Sequence, residues 1–89
     1  MTDEKSQKTL ISHFVGNWLV QATFTIEQGK DATPIQDELV DKLKSSEEKG
    51  TMMNEAVKLI RSYDWSTKNG LEDFRQQYFA FETKYGMVQ

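Results

Sequence analysis

Two short stretches and one histidine of this 89-residue sequence contain side chains that do chemistry in other proteins. Ser46 and Lys49 have the Ser-x-x-Lys spacing with which a lysine activates a serine in some acyl-transferring enzymes, but the companion motifs are missing. The pair Gly29-Lys30 lacks the earlier glycine and the following hydroxyl of a phosphate-binding loop. His13 is the only histidine and cysteine is absent, which excludes two-histidine and cysteine-ligated metal sites. We therefore expect no enzyme activity, no cofactor and no metal site.

Acidic and basic residues form two clusters that could contact a partner. Asp37, Glu38 and Asp41 lack the alternating oxygen ligands and the glycine turn of an EF-hand loop, so a solvated acidic helix face is the simplest interpretation. Lys58 and Arg61 lie one helical turn apart and could touch phosphate. The formal net charge of -3, however, argues against a protein whose main task is to neutralise nucleic-acid phosphates.

Size and composition place these clusters on one small domain. A chain of 89 residues buries only about 60–65% of its unfolded surface, which leaves little core for an enclosed active site. No repeat or flexible linker divides it, so we predict one helical domain over residues 1–89, with residues 1–6 frayed. A polar N-terminal segment, no long apolar stretch and no cysteine predict a cytoplasmic protein that does not enter a membrane.

The first predicted element spans residues 11–26 and leaves two questions open. Gly16 and Asn17 predict a kink or break, because glycine costs about 1 kcal/mol against alanine inside a helix. Residues 20–26 also alternate apolar side chains with Thr23 and Thr25, as a half-buried strand does. The apolar residues at helical steps of three and four are Ile11, Phe14, Val15, Trp18, Leu19, Ala22 and Ile26.

A second helix is predicted to begin at Pro34, which suits a first helical position because no N–H is needed there. Thr33 could cap this helix, and Gln36 would complete a Thr-x-x-Gln capping box. We expect the helix to end at Glu47 or Glu48, before the next glycine.

Two more helices follow in the second half of the sequence. Thr51 offers an N-cap to a helix that runs to about Tyr63, and Asn69 with Glu72 gives a cap and box for the last one. Gly86 is well placed to end it. The aromatic residues expected to pack in the core include Trp18, Trp65, Phe74, Phe79 and Phe81.

The order of these segments resembles a known family. Residues 34–40 would be its third helix, 49–53 a link, 55–60 its fourth helix, Trp65 part of the next turn, and 70–74 the start of a fifth helix ending at 84–86. This pattern is similar to the caspase recruitment domain (CARD) branch of the death-fold superfamily, especially the CARDs of cytosolic helicases that sense viral RNA. Helices one and two would then come from the segment before Pro34, broken at Gly16-Asn17. The family has six helices, whereas little sequence follows Gly86.

The resemblance implies homotypic assembly in innate-immune or cell-death signalling. CARDs stack through a basic patch on helices one and four and an acidic patch on helices two and three. Here Lys58 and Arg61 would form the basic patch, and Asp37, Glu38 and Asp41 the acidic one. Opposite patches on different faces make a heterologous contact, which closes into a ring or continues as a filament.

The sequence therefore predicts an all-α antiparallel bundle of five to six helices of the death-fold type, with a plain four-helix bundle as the alternative. The expected function is a protein–protein interaction module that recruits another protein, with a domain of the same fold as the implied partner. One alternative is a small acidic inhibitor or immunity-type protein that binds an unrelated target. In that case the first helix would be unbroken and the protein monomeric. A further alternative is a nucleic-acid-associated regulator that binds through Lys58 and Arg61.

Overall fold

Four helices make up the part of the chain that the structure describes, residues 4–87 of a computed structural model. They are α1 (Glu4–Glu27), α2 (Thr33–Ser45), α3 (Thr51–Arg61) and α4 (Lys68–Lys84). Helix α1 packs against all three others, while α2 contacts α3 and α3 contacts α4. The all-α prediction is confirmed. Over residues 4–87 the helix count corrects the expectation of five to six and fits the plain four-helix alternative.

The two ends of the chain differ from expectation in one respect. Residues 4–6, which were expected to be frayed, already belong to α1, whereas residues 1–3 lie outside the described part. Met87 follows α4 without helical structure, so the described residues contain no start of a sixth helix.

Among these four helices, none combines the length and the apolar character that crossing a membrane requires.

Helix α1 is continuous, so the predicted break at Gly16 and Asn17 is wrong. Both residues lie on the exposed side of the helix. Ile11 and Val15 before them and Ala22 after them are fully buried against the other helices. Burying this face on both sides of Gly16 outweighs the cost of one glycine, which is about 1 kcal/mol.

Residues 20–26 belong to the same helix, so the strand alternative is also wrong. The Thr23 hydroxyl donates to the Leu19 carbonyl oxygen at 2.8 Å, and the Thr25 hydroxyl donates to the Gln21 carbonyl oxygen at 2.9 Å. A hydroxyl bonded to the carbonyl four residues earlier is how threonine is accommodated inside a helix. The alternating apolar residues lie on opposite sides of this helix, with Ala22 buried and Val20 and Phe24 exposed.

Two glycines are expected to respond to alanine in opposite directions. A Cβ at Gly16 would meet nothing within 4 Å, so Gly16→Ala should raise the free energy of unfolding by about 0.5–1 kcal/mol. A Cβ at Gly70 would lie 1.9 Å from the Asp64 carbonyl oxygen, so Gly70→Ala should lower it by about 1–3 kcal/mol. Urea unfolding of both variants measures the difference. A destabilised Gly16→Ala would mean that α1 needs glycine at this point.

The start of α2 uses a different cap from the predicted one. Pro34 lies in the first turn, as predicted, but Thr33 is the first helical residue and Ala32 is the N-cap, with no side-chain cap hydrogen bond. The Thr33 N–H and hydroxyl donate to Asp31 Oδ1 at 2.8 and 2.6 Å. The capping box is wrong because Gln36 is buried in the interior. Its amide is therefore available for a contact between helices.

The starts of α3 and α4 lie close to their predicted positions. Helix α3 begins at Thr51, but Gly50 rather than Thr51 is its N-cap residue. Helix α4 begins before the predicted cap Asn69, because the Thr67 hydroxyl accepts a hydrogen bond from the Gly70 N–H at 3.0 Å. A threonine cap of this kind satisfies one of the amides that the first helical turn leaves unpaired.

The helix ends include one confirmed prediction and one correction. Gly86 ends α4 with a positive φ of 68°, and the amides of Gly86 and Met87 donate to carbonyl oxygens of the last turn at 3.2 and 2.7 Å. This is the Schellman arrangement, in which glycine adopts the left-handed conformation without steric cost. Helix α2 ends at Ser45, earlier than the predicted residues 47–48.

Aromatic side chains form much of the core between α1 and the other helices. Trp65, Phe74 and Phe81 are buried, as predicted, and the Trp65 and Phe74 rings lie 5.1 Å apart between centroids. Trp18 is half-buried at the edge of the core. Phe79 is 59% exposed, so its predicted packing role is wrong. It lies on α4 outside the row of positions that face the core.

Candidate functional site

The five charged residues predicted to contact a partner lie on two helices that pack against each other. Asp37, Glu38 and Asp41 are exposed on α2, and Lys58 and Arg61 are exposed on α3. Within residues 4–87, none of these five side chains takes part in an ion pair. Their charges are therefore directed to solvent and are accessible to a partner.

A buried amide fixes how α2 lies against α3. Gln36 Nε2 donates to the Ile60 carbonyl oxygen at 2.7 Å and to the Tyr63 carbonyl oxygen at 2.8 Å. Carbonyl groups at the end of a helix have no partner within it, so this side chain from α2 satisfies the end of α3. The beginning of α2 thus lies at the end of α3. Because Leu43 near the end of α2 shares a groove with Met53 near the start of α3, the two helices run antiparallel.

This α2–α3 groove has a volume of about 430 Å³. Its floor is apolar, since Leu43 and Met53 are buried and Val57 is half-buried. Its rim is basic, with exposed cationic side chains from both helices and from the loop between them. The rim residues are Lys44, Lys49, Lys58 and Arg61. Sequence reasoning found the last two and missed the first two, because only the antiparallel packing brings the end of α2 beside α3.

The acidic residues continue the edge of this groove. Asp37, Asp41 and Lys44 share one side of α2, since residues three and four positions apart are neighbours on a helix surface. Lys44 lines the groove, so the two aspartates extend the same edge toward the start of α2. The two aspartates thus share a side of α2 with Lys44, while no acidic residue is among the described residues that line the groove. The resemblance implied patches on different faces.

The opposite side of α3 is occupied by contacts to α4. Lys84 Nζ lies 2.8 Å from Glu55 Oε1, and the Tyr85 hydroxyl donates to the other carboxylate oxygen. Two hydrogen bonds lower the pKa of Glu55, and the one from Lys84 has a larger effect than the one from Tyr85. This contact therefore stabilises the fold above the ordinary pKa of a glutamate and weakens as the pH falls through the lowered value.

An exposed apolar patch on α1 and α4 was not predicted from the sequence. Val20 is 69% and Phe24 is 61% exposed, and both line a shallow pocket of about 240 Å³ with Arg75. The Arg75 guanidinium donates to the Thr23 hydroxyl, which fixes α4 beside α1 at this level. Phe79 follows one helical turn after Arg75. A stricter use of the 3.6-residue period would have found Val20 and Phe24, because they fall outside the stripe that contains the buried residues of α1.

Ser46, Lys49 and His13 make hydrogen bonds close to their own positions in the chain. The Ser46 hydroxyl donates to a backbone carbonyl oxygen at 3.2 Å, whereas Lys49 Nζ donates to the Lys44 carbonyl oxygen at 2.5 Å. Each side chain of this Ser-x-x-Lys stretch thus has a backbone acceptor of its own. His13 is exposed on α1, with its ring 3.4 Å from the Asn17 amide. Within residues 4–87, no group of three or more histidine and acidic side chains is arranged to hold a metal ion.

Comparisons of the chain with protein-family models, with curated proteins and with solved structures found no match.

Proposed function

We propose that this chain is a protein-binding module that acts through the surface formed by α2 and α3. The observation that carries this proposal is the placement of exposed Asp37, Glu38 and Asp41 on α2 and of exposed Lys58 and Arg61 on the neighbouring α3, with none of the five in an ion pair within residues 4–87. Complementary charges across an interface accelerate encounter and select the partner and its register. A surface of this kind suits recognition of a folded protein with the opposite charge pattern.

A domain of the same fold is the first partner to consider, as the CARD resemblance implies. Because the acidic and basic rows lie on neighbouring helices, a second copy related by a two-fold axis along the groove would place each acidic row on the other's basic row. Such an interface is isologous and closes as a pair, whereas a heterologous contact would continue as a ring or filament. In this version the module would recruit a like partner in cytoplasmic signalling.

Charge reversal tests the like-partner version. Asp41→Lys and Arg61→Glu should each weaken self-association at least about tenfold, because each sets like charges opposite each other. The double variant should recover most of the affinity, since the charges are then exchanged rather than removed. Sedimentation equilibrium at low and high salt measures both effects. Lys42→Glu, an exposed change on α2 outside the groove, is the control.

Two results would reject this version. One is a parent protein that stays monomeric at about 1 mM, a concentration at which an association worth about 4 kcal/mol is half complete. The other is a set of single variants that associate as the parent does.

A partner of unrelated fold is the second candidate, and the shape of α1 favours it. An unbroken first helix in a four-helix bundle is the arrangement expected of a small acidic inhibitor or immunity-type protein. This version predicts a monomer that forms a one-to-one complex with a basic surface through Asp37, Glu38 and Asp41. Replacing these three residues by asparagine or glutamine should abolish that complex, while Lys58→Ala and Arg61→Ala should leave it intact. Light scattering of the mixed proteins distinguishes the two candidates.

A further inference from the structure

The α2–α3 groove combines an apolar floor with an unusual concentration of positive charge. Four of the eleven lysine and arginine residues of the chain line it, although the formal net charge is -3. No acidic residue is among the described residues that line this groove. Cations in the last turns of α2 and α3 also complement the helix dipoles. This interaction with the helix dipole accounts for a cation at each helix end. It does not account for the position of four cations around the same apolar groove.

We propose that the α2–α3 groove binds an acidic amphipathic helix from a partner protein. This inference rests on the proposed protein-binding function and specifies the chemistry of the partner. Val57, which is half-buried, would receive apolar side chains spaced three and four residues apart, as in other helix-in-groove complexes, above the buried Leu43 and Met53. Lys58 and Arg61 on one side and Lys44 on the other would contact carboxylates that flank this apolar stripe. Charge thus selects the acidic helix, and the floor supplies the apolar burial.

A nucleic acid fits the same groove less well. Proteins that hold single strands stack bases on aromatic rings, and the described residues that line the groove include no aromatic side chain. The apolar floor would face phosphates and sugars without gaining burial.

The direct test uses the full chain, labelled with ¹⁵N, and a synthetic helical peptide of about 15 residues with leucines at helical spacing and glutamates elsewhere. The peptide should shift the amide resonances of Met53, Val57, Lys58 and Arg61 in a saturable way. Lys58→Glu combined with Arg61→Glu should weaken binding at least about tenfold, whereas Lys42→Glu should change it less than about twofold. Replacing the leucines of the peptide by serine should abolish binding without any change to the protein.

Three outcomes would overturn the inference. They are the absence of saturable shifts up to about 2 mM peptide, equal binding of a peptide with lysine in place of glutamate, and full competition by a single-stranded oligonucleotide. Asp37→Asn with Asp41→Asn separates this inference from the proposed self-association. That double variant should lose the pairing of like copies and keep the peptide. Loss of peptide binding alone, with charge-dependent pairing intact, would reject the groove and leave the broader function standing.

Discussion

Replacing Phe74 by alanine is expected to lower the free energy of unfolding by about 3–5 kcal/mol, a large part of the stability of a domain this size. Phe74 is fully buried at the centre of an aromatic cluster. Its ring centroid lies 5.1 Å from that of Trp65, 5.7 Å from that of Tyr78 and 6.3 Å from that of Tyr63. Alanine would remove the central ring and leave a cavity that the surrounding rings cannot close without shifting α4.

Phe79 provides the matched control, because it has the same side chain on the same helix but is 59% exposed. Phe79→Ala should change the free energy of unfolding by no more than about 0.5–1 kcal/mol, as expected of a surface substitution. Urea titrations followed by tryptophan fluorescence and circular dichroism measure both variants. Equal losses for Phe74→Ala and Phe79→Ala would show that the placement of α4 in this fold is incorrect.

Gln36→Glu is expected to cost about 3 kcal/mol at neutral pH, although the change is nearly isosteric. The Gln36 amide donates to the Ile60 carbonyl oxygen in the last turn of α3 and to the Tyr63 carbonyl oxygen just after the helix. A carboxylate at this position has no hydrogen to donate, so its oxygens would face the two carbonyl oxygens without a hydrogen bond. Its charge would also lie at the negative end of the α3 dipole. Both effects favour the protonated form of the introduced carboxyl in the folded state, so its folded pKa should lie above its unfolded value.

The pH dependence follows from that direction of shift. A group with a raised folded pKa contributes most below its unfolded pKa, near 4.3 for a glutamate, and its contribution is lost as the pH rises through the folded value. The deficit of Gln36→Glu relative to the parent should thus be smaller at pH 4 than at pH 7. Gln36→Met removes both hydrogen bonds without adding a charge and should cost about 1–3 kcal/mol at either pH. A deficit of Gln36→Glu that does not vary with pH would contradict this role for Gln36.

Gln36 also shows why the surface depends on the interior. Its two hydrogen bonds set the position of α2 along α3, and this position brings Lys44 to the groove that Lys58 and Arg61 line. A variant that loosens this contact should weaken partner binding without touching the charged residues themselves. Charge variants at Asp41 and Arg61 are best interpreted alongside a stability measurement for this reason.

Local signals in the sequence were sufficient to predict where most of the helices lie. Pro34 in a first turn and Gly86 in the left-handed conformation at a helix end are set by backbone sterics alone, so they are predictable without knowledge of the fold. The N-cap signals at Thr51 and Asn69 located the starts of α3 and α4 to within about two residues, because capping depends on the local backbone. The predicted charged residues of α2 and α3 were correctly expected on the surface, since unpaired charges are rarely buried.

The sequence by itself determined an all-α chain with exposed charges on its second and third helices. Tertiary packing decided the rest. Burial on both sides of Gly16 keeps α1 in one piece, a gain of free energy that no local propensity contains. Packing also assigned Gln36 to the end of α3 and joined Lys44 and Lys49 to the groove. These contacts join residues far apart in the chain, so their energies depend on the complete arrangement of helices and not on any short pattern.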